Sequence, residues 1–159
     1  MRIGNSFDFH PFIKGKPLML GGIEIEYEKG LEAISDGDAL IHAISEAILG
    51  ALALGDLGTF FKEEDSLGMD SKLILSKVID MMEFNKYRIV NIDSMIIAEE
   101  PKMHPYIIRM RETLSYIMGI DVSQISIKAT TMEKRGIIGS KEGIACFASV
   151  LLEEDLWII

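Results

Sequence analysis

The chain has 159 residues, of which 48% are hydrophobic and 26% charged, and its formal net charge is −9. This length and composition are typical of one globular domain, which we expect to span residues 1–159. Nucleic-acid binding is not expected, because an acidic chain without a basic cluster has little to attract a run of phosphates.

The first half of the chain contains strand signals followed by one clear helix. Residues 2–9 suit a strand that Pro11 ends, and Gly21-Gly22 between two apolar runs indicates a hairpin or bulge. Residues 38–54 carry apolar side chains at helical spacing, with capping residues before them and Gly55 as a left-handed cap after them.

The second half continues this alternation of helices and strands. A polar loop at 62–69 leads to a predicted helix at 71–84, and residues 105–118 predict another helix, closed by Gly119. Strands are predicted at 87–98, 125–129 and 144–152, the last buried on both faces. The pattern predicts an α/β or α+β fold with helices packed on a mixed sheet.

Asp8, His10 and His42 form a candidate metal site. On a strand, residues i and i+2 face the same side, so Asp8 and His10 can converge on one ion. His42 lies near the start of the first helix, away from its apolar stripe, and supplies a third ligand. Three protein ligands with one open position are typical of catalytic zinc. Spacing alone leaves the alternative open, because an acid-x-His pair and a solvated histidine are both common.

Cys146 and the N-terminal segment bear on compartment. A single cysteine excludes an intrachain disulfide, and its apolar neighbours favour a packed thiol over a nucleophile. The first residues lack the apolar core of a signal peptide, and no apolar run approaches the roughly 20 residues of a spanning helix. We therefore expect no membrane association and a cytoplasmic location, or a plastid-type soluble compartment after processing.

Ordered segments along nearly the whole chain resemble the 2-C-methyl-D-erythritol 2,4-cyclodiphosphate synthase family. They are Asp8-Phe9-His10, Leu20-Gly21-Gly22, Tyr27-Glu28-Lys29-Gly30-Leu31, Ser35-Asp36-Gly37-Asp38, His42-Ala43, the run from Gly50 to Gly58, Pro101-Lys102-Met103, Lys128-Ala129-Thr130-Thr131 with Glu133-Lys134, and Glu142-Gly143-Ile144-Ala145.

The resemblance implies an enzyme of the non-mevalonate isoprenoid pathway, a phosphorus–oxygen lyase. The family converts 4-diphosphocytidyl-2-C-methyl-D-erythritol 2-phosphate to the cyclic diphosphate and releases CMP. It is a homotrimer whose sheets face the three-fold axis and whose active sites lie between subunits. Zinc would be held by Asp8, His10 and His42, and a second ion, magnesium or manganese, by Glu133. Two metals grip both phosphates in such a transfer.

The resemblance also implies site roles residue by residue. Catalytic roles fall to Asp8, His42 and Thr131, and Lys102 and Lys128 would add cations. Asp56 would hold the ribose hydroxyls, and segments 98–106 and 129–133 the cytidine. The substrate-binding set is Ile34, Ser35, Asp56, Leu57, Gly58, Phe61, Asp65, Ala98, Pro101, Lys102, Met103, Ala129, Thr130, Thr131 and Glu133.

Four positions depart from the family pattern. Ile34 and Asn5 stand where the family has histidines. In the family, the histidine that Ile34 replaces contacts phosphate. Losing one such donor costs on the order of 2–4 kcal/mol of barrier stabilisation. The Phe-Pro-Asp-Thr-Asp run is Phe61-Lys62-Glu63-Glu64-Asp65, in which Lys62 offers a replacement cation. Ser140 replaces an arginine that lines an axial cavity able to hold a prenyl diphosphate, although Lys141 follows it.

Two alternatives to an active synthase remain at this stage. A catalytically impaired trimeric, metal-binding homologue could act as a binding or assembly protein, and Ile34 is the observation in its favour. A hydrolytic zinc phosphoesterase would use the open zinc position to activate water. Glu133-Lys134 also reads as an exposed charged turn, and Gly136 and Gly139 as a flexible loop.

Overall fold

The computed structural model describes residues 1–62, 64 and 66–155. Its strands are β1 (Arg2–Lys14), β2 (Leu18–Leu20), β3 (Ile23–Ile25), β4 (Lys29–Leu31), β5 (Tyr87–Ile97), β6 (Ile125–Thr130) and β7 (Gly143–Glu154). Its α-helices are α1 (Ala39–Ala51), α2 (Leu57–Phe60), α3 (Ser71–Phe84), α4 (Ile107–Met118) and α5 (Gly136–Gly139), and 3₁₀ turns lie at His104–Tyr106 and Val122–Gln124.

A mixed sheet with strand order β4-β1-β7-β5-β6 forms the frame of the molecule. Strand β7 runs antiparallel to both β1 and β5, whereas β5 and β6 are parallel. Parallel neighbours need a crossover connection, which α4 supplies. Helix α1 packs on β1 and β7, and α3 and α4 continue the helical layer. The predicted α+β fold, a mixed sheet packed by helices, is confirmed.

Helix α1 lies unusually close to β1. A Cβ atom built on Gly4 of β1 would stand 1.9 Å from the backbone oxygen of Ala47 in α1. Only glycine fits there, because any side chain would push the helix off the strand. Most of α1 is buried, including Leu40, Ile44 and Ile48, and this apolar face meets the inward side chains of β7.

The opposite face of the sheet is largely open in this chain. Ile3 is 74% exposed, Phe7 57% and Phe147 36%. Phe7 and Phe147 are paired across β1 and β7, so their side chains form one apolar surface. The prediction that the last strand is buried on both faces is therefore wrong for the chain by itself.

Two local predictions are also wrong. Strand β1 does not end at Pro11 but continues to Lys14. Pro11 is the last residue of β1 paired with β7, and from Phe12 onward the strand pairs with β4. A residue without an N–H group is tolerated where a ladder changes partner. The expected flexible loop at Gly136 and Gly139 instead forms the single turn α5.

The other helix boundaries agree with those predicted from the sequence, except at the end of α1. Helix α3 has the predicted bounds, and Gly119 closes α4 in the left-handed conformation with φ of 65°. Helix α1 ends at Ala51, earlier than expected, with Leu52 rather than Gly55 as its cap. No helix within the described residues is long and apolar enough to cross a membrane.

The buried carboxylate of Asp38 joins a hairpin to the start of α1. Gly21 and Gly22 adopt positive φ in the turn between β2 and β3, as their sequence predicts. Their N–H groups donate to Asp38 at 2.9 and 2.7 Å, and Ile41 N donates to it at 3.0 Å. Asp38 is wholly buried, and burial raises its pKa although the three donors oppose that rise.

We expect Asp38→Ala to lower the free energy of unfolding by about 3 kcal/mol or more, because three buried N–H groups lose their acceptor. The matched control is Asp70→Ala, which removes a half-buried cap from α3 and should cost about 1 kcal/mol. Urea unfolding at equal chain concentration measures both. Equal losses in the two variants would contradict this role of Asp38.

Candidate active site

Strand β1 and helix α1 bring Asp8, His10 and His42 together. Asp8 and His10 lie on the face of β1 that packs on α1, and His42 lies in the first turn of that helix. The Asp8 Oδ2 atom is 2.9 Å from His10 Nε2 and 3.2 Å from His42 Nδ1, and the two nitrogens are 3.2 Å apart. The three residues are the potential metal-binding cluster among the described residues.

These distances fit a tetrahedral metal ion. Zinc bonds of 2.0–2.1 Å to nitrogen and oxygen put neighbouring ligand atoms about 3.3 Å apart in a regular tetrahedron. The second nitrogen of His10, Nδ1, lies 2.8 Å from the Glu32 carbonyl oxygen. A carbonyl only accepts, so Nδ1 carries the hydrogen and Nε2 of neutral His10 presents a lone pair to the cluster. Converging acceptors of this kind call for a cation between them.

The pKa values of Asp8 and His10 reflect their contact. Burial opposes the ionisation of Asp8, yet its close contacts with the rings of His10 and His42 hold its pKa well below the usual range. Burial also lowers the pKa of His10, but the hydrogen bond and charge of Asp8 outweigh it and raise the pKa above 6.5. Metal binding at this site must therefore displace a proton held by the Asp8–His10 pair.

A second layer of polar groups surrounds the triad. His42 Nε2 lies 3.0 Å from Ser71 Oγ at the start of α3 and 3.2 Å from Ser35 Oγ. Ser71 in turn contacts the Asp36 carboxylate. No role for Glu32 or Ser71 could be predicted from the sequence, because no residue-type pattern connects positions so far apart along the chain.

A cavity of about 310 Å³ opens beside His10 and His42. Its wall includes five of the predicted substrate-binding residues, and most of its lining is apolar. These five are Ile34, Ser35, Leu57, Gly58 and Phe61. Ile34 also lines an adjoining cavity of about 550 Å³ together with Lys62 and Glu64. Lys62, the cation expected to replace the lost histidine contact, therefore lines the adjoining cavity and not the one beside the triad.

Asp56 lies at the edge of this region and caps α2. Its carboxylate accepts hydrogen bonds from the Thr59 N–H and hydroxyl groups at 3.0 and 2.8 Å. These bonds lower the pKa of Asp56, which is fully exposed. Asp65, another predicted substrate contact, lies outside the described residues.

Most of the residues predicted to bind the cytidine line a separate pocket of about 210 Å³ at the end of β6. The pocket is lined by Ala98, Glu99, Pro101, Lys102, Met103, His104, Ala129, Thr130 and Thr131. The Glu100–Pro101 bond in its wall is cis. Every substrate-binding residue named within segments 98–106 and 129–133 lines this pocket, except Glu133.

Glu133 and Lys128 lie near this pocket but are held by other groups. The Thr131 hydroxyl donates to the Glu133 carboxylate at 3.0 Å in an exposed turn where Glu133 adopts φ of 50°. Lys128 pairs with Asp93 at 2.6 Å. Lys128 is therefore already neutralised by a carboxylate and does not line the pocket.

The pocket and the triad do not meet within one chain. Asp8 pairs with Cys146, Cys146 with Ile96, and Ile96 with Ala129. Three strand spacings thus separate Asp8 from Ala129, a distance of about 14 Å. Glu133 is not among the groups that cluster with Asp8, His10 and His42.

A model of the YgbB family matches residues 1–153 of this chain. The chain belongs to the YgbB family. It is 47% identical over 156 residues to the 2-C-methyl-D-erythritol 2,4-cyclodiphosphate synthase of Chloroherpeton thalassium, covering 97% of this chain and 99% of that protein. The family resemblance predicted from the ordered segments is therefore confirmed.

Solved structures of this family share the fold. The CDP complex of IspF from Plasmodium falciparum matches with a TM-score of 0.86 and 36% identity, over 96% of each chain. The bifunctional IspDF of Campylobacter jejuni matches with a TM-score of 0.93 and 37% identity over 96% of this chain. This chain spans only 42% of that longer protein.

We expect zinc affinity to fall as pH falls through the raised pKa of His10. Below that pKa the ion competes with one proton, so affinity should drop about tenfold per pH unit. Zinc competition with a chromophoric chelator between pH 8.5 and pH 6 measures the slope. A flat profile over this range would contradict the assignment of His10 as a ligand.

Proposed function

We propose that this chain is a cyclodiphosphate synthase that converts 4-diphosphocytidyl-2-C-methyl-D-erythritol 2-phosphate to 2-C-methyl-D-erythritol 2,4-cyclodiphosphate and CMP. The observation that carries the proposal is the convergence of Asp8, His10 and His42 beside a cavity, in a chain that belongs to this family. The reaction places the protein in the non-mevalonate route to isoprenoids, as a phosphorus–oxygen lyase.

The chemistry requires positioning and charge neutralisation more than covalent help. An oxygen of the 2-phosphate attacks the β-phosphorus, a new P–O bond closes the ring, and the bond to CMP breaks. Zinc at Asp8, His10 and His42, with magnesium or manganese at Glu133, would neutralise the phosphoryl oxygens. An acidic chain of net charge −9 needs such help, because Lys102 is the one lysine or arginine among the described residues that line the two pockets.

The described residues divide the remaining work between two places. Ser35 and the N-terminus of α2, with Leu57 and Gly58, line the cavity next to the triad, and we assign them to the phosphate and methylerythritol part. The pocket with Lys102, Thr130 and Thr131 would take the cytidine. The Thr131 hydroxyl, which donates to Glu133 in the free chain, would turn to donate to a phosphoryl oxygen of the bound substrate. The CDP complex of the solved relative supports a nucleotide ligand of this class.

We further propose that a complete site forms between two subunits of a homotrimer. Two observations support this: about 14 Å separates the triad from the pocket along the sheet, and Ile3, Phe7 and Phe147 leave an apolar sheet face open. Burying that face around a three-fold axis would set the triad of one subunit against the pocket of its neighbour. A soluble protein rarely leaves such a face uncovered.

The geometry does not favour a prenyl diphosphate on that axis. Lys141, the cation expected to stand in for the missing arginine, pairs with Glu100 at 2.6 Å. This contact raises the pKa of Lys141 and lowers that of Glu100, so each already satisfies the charge of the other.

The cytoplasmic location of the protein stays a prediction.

Phosphorus NMR of the purified protein with its substrate, zinc and magnesium tests the activity. We expect the cyclic diphosphate and CMP in equal amounts. CMP with a linear product would indicate a zinc phosphoesterase instead. No turnover with zinc bound would indicate an impaired homologue. In that case Ile34→His should restore turnover by roughly 100-fold or more if the missing imidazole is the cause.

A mixing experiment tests the proposal that sites lie between subunits. His42→Ala removes the metal half and Glu133→Ala the second-ion half, and each homotrimer should be inactive. Random trimers of the two should regain about one quarter of wild-type activity, because one interface in four then joins two intact halves. The control is a mixture of the two inactive homotrimers that have not exchanged subunits, which should stay inactive. Absence of recovery in verified mixed trimers would show that each chain supplies its own complete site.

A further inference from the structure

We infer that Ser71 and Asp36 act as a positioning pair that fixes the tautomer of His42 and turns its bare Nδ1 atom toward Asp8 and His10. Neither residue belongs to the triad, and no role at the metal site was predicted for either of them from the sequence. The inference rests on the metal role that the proposed function gives to His42, but it concerns the arrangement of hydrogens in the protein itself.

The tautomer of His42 follows from the number of hydrogens that its neighbours can donate. Ser71 Oγ has one hydrogen and directs it to the Asp36 carboxylate, which can only accept. Toward His42 Nε2, at 3.0 Å, the same oxygen must then accept. Nε2 therefore carries the hydrogen. A neutral imidazole has only one, so Nδ1 presents a lone pair.

The pair itself is held firmly in place. Asp36 accepts a second hydrogen bond from the Ser71 backbone N–H at 3.1 Å, and its own N–H donates to the Met69 carbonyl oxygen at 3.0 Å. Ser71 is fully buried as the first residue of α3. Contacts among Asp36, His42 and Ser71 thus join the loop before α1, α1 itself and the start of α3.

Two neighbours favour other arrangements and are outweighed. Asp8 Oδ2, 3.2 Å from Nδ1, would attract the hydrogen to that nitrogen, but it lies closer to His10 Nε2, at 2.9 Å. Ser35 Oγ, 3.2 Å from Nε2, can donate or accept, and it already accepts from Gly37 N at 3.2 Å. Ser71 has no such freedom, because Asp36 takes its only hydrogen.

The consequence for metal binding has a known scale. Groups that orient a metal-bound histidine through its other nitrogen typically contribute 10–100-fold in metal affinity. With Ser71 replaced by alanine, only Ser35 would contact Nε2, and the hydrogen could move to Nδ1 to face Asp8. We expect zinc and cobalt affinity to fall by about 10–100-fold, without loss of the fold.

The first measurement is nitrogen NMR of the histidine rings in the metal-free wild-type protein at pH 8.5. The expected result is hydrogen on Nε2 of His42, and hydrogen on Nδ1 would overturn the inference. This measurement needs no variant, metal or substrate. It therefore succeeds or fails separately from the cyclase assay.

The second measurement compares Ser71→Ala, Ser71→Thr and Ser76→Ala. Ser76 lies on the same helix, and its hydroxyl bonds only the Lys72 carbonyl at 2.9 Å, so its variant controls for a serine-to-alanine change on α3. We expect Ser71→Ala alone to lose affinity, and the visible spectrum of bound cobalt to change with it. Ser71→Thr should restore both. Wild-type affinity in a folded Ser71→Ala variant would contradict the role.

Discussion

The close approach of α1 to β1 at Gly4 is the contact on which the rest of the structure depends. It fixes the helix against the strand at a distance that no larger residue permits. His42 on α1 then meets Asp8 and His10 on β1 within hydrogen-bond range. A shift of about 1 Å between these two elements would move the three side-chain atoms away from the separations that suit one tetrahedral ion.

The site is also constrained from its outer side. The start of α3 reaches His42 through Ser71, and the buried Asp38 fastens the helix to the β2–β3 hairpin. Metal binding at the proposed site would therefore be coupled to fold stability, because the segments that orient Asp8, His10 and His42 also close the core. A bound ion stabilises whatever holds its ligands in place.

Sequence periodicity was sufficient for most of the fold. Apolar spacing predicted α3 to the residue and the existence of every long strand, because burial on one face sets that spacing. The Pro11 prediction failed because a local rule about proline cannot see that the strand changes partner at that residue. The prediction that the last strand is buried on both faces was wrong for a related reason, because apolar residues on both sides of a strand do not reveal whether the chain itself supplies a layer to cover each side.

The site was predictable in part. Residue type and spacing made Asp8, His10 and His42 a candidate, and only ordered resemblance along the chain raised them above chance. Ser71 could not be found in this way, because its contact with His42 spans 29 positions and depends on how α3 docks. The distance between Glu133 and the triad within one chain could not be predicted from periodicity, because it depends on strand order. Only the family resemblance implied that the active sites lie between subunits.

The open sheet face has a consequence for the newly synthesised chain. Phe7 and Phe147 lie side by side on neighbouring strands, so a newly folded copy exposes an apolar surface to other proteins. Such surfaces associate without much discrimination. Newly made copies that have not yet formed the proposed trimer would be prone to aggregation. The yield of folded protein would then depend on the rate of synthesis as well as on the stability of the assembled protein.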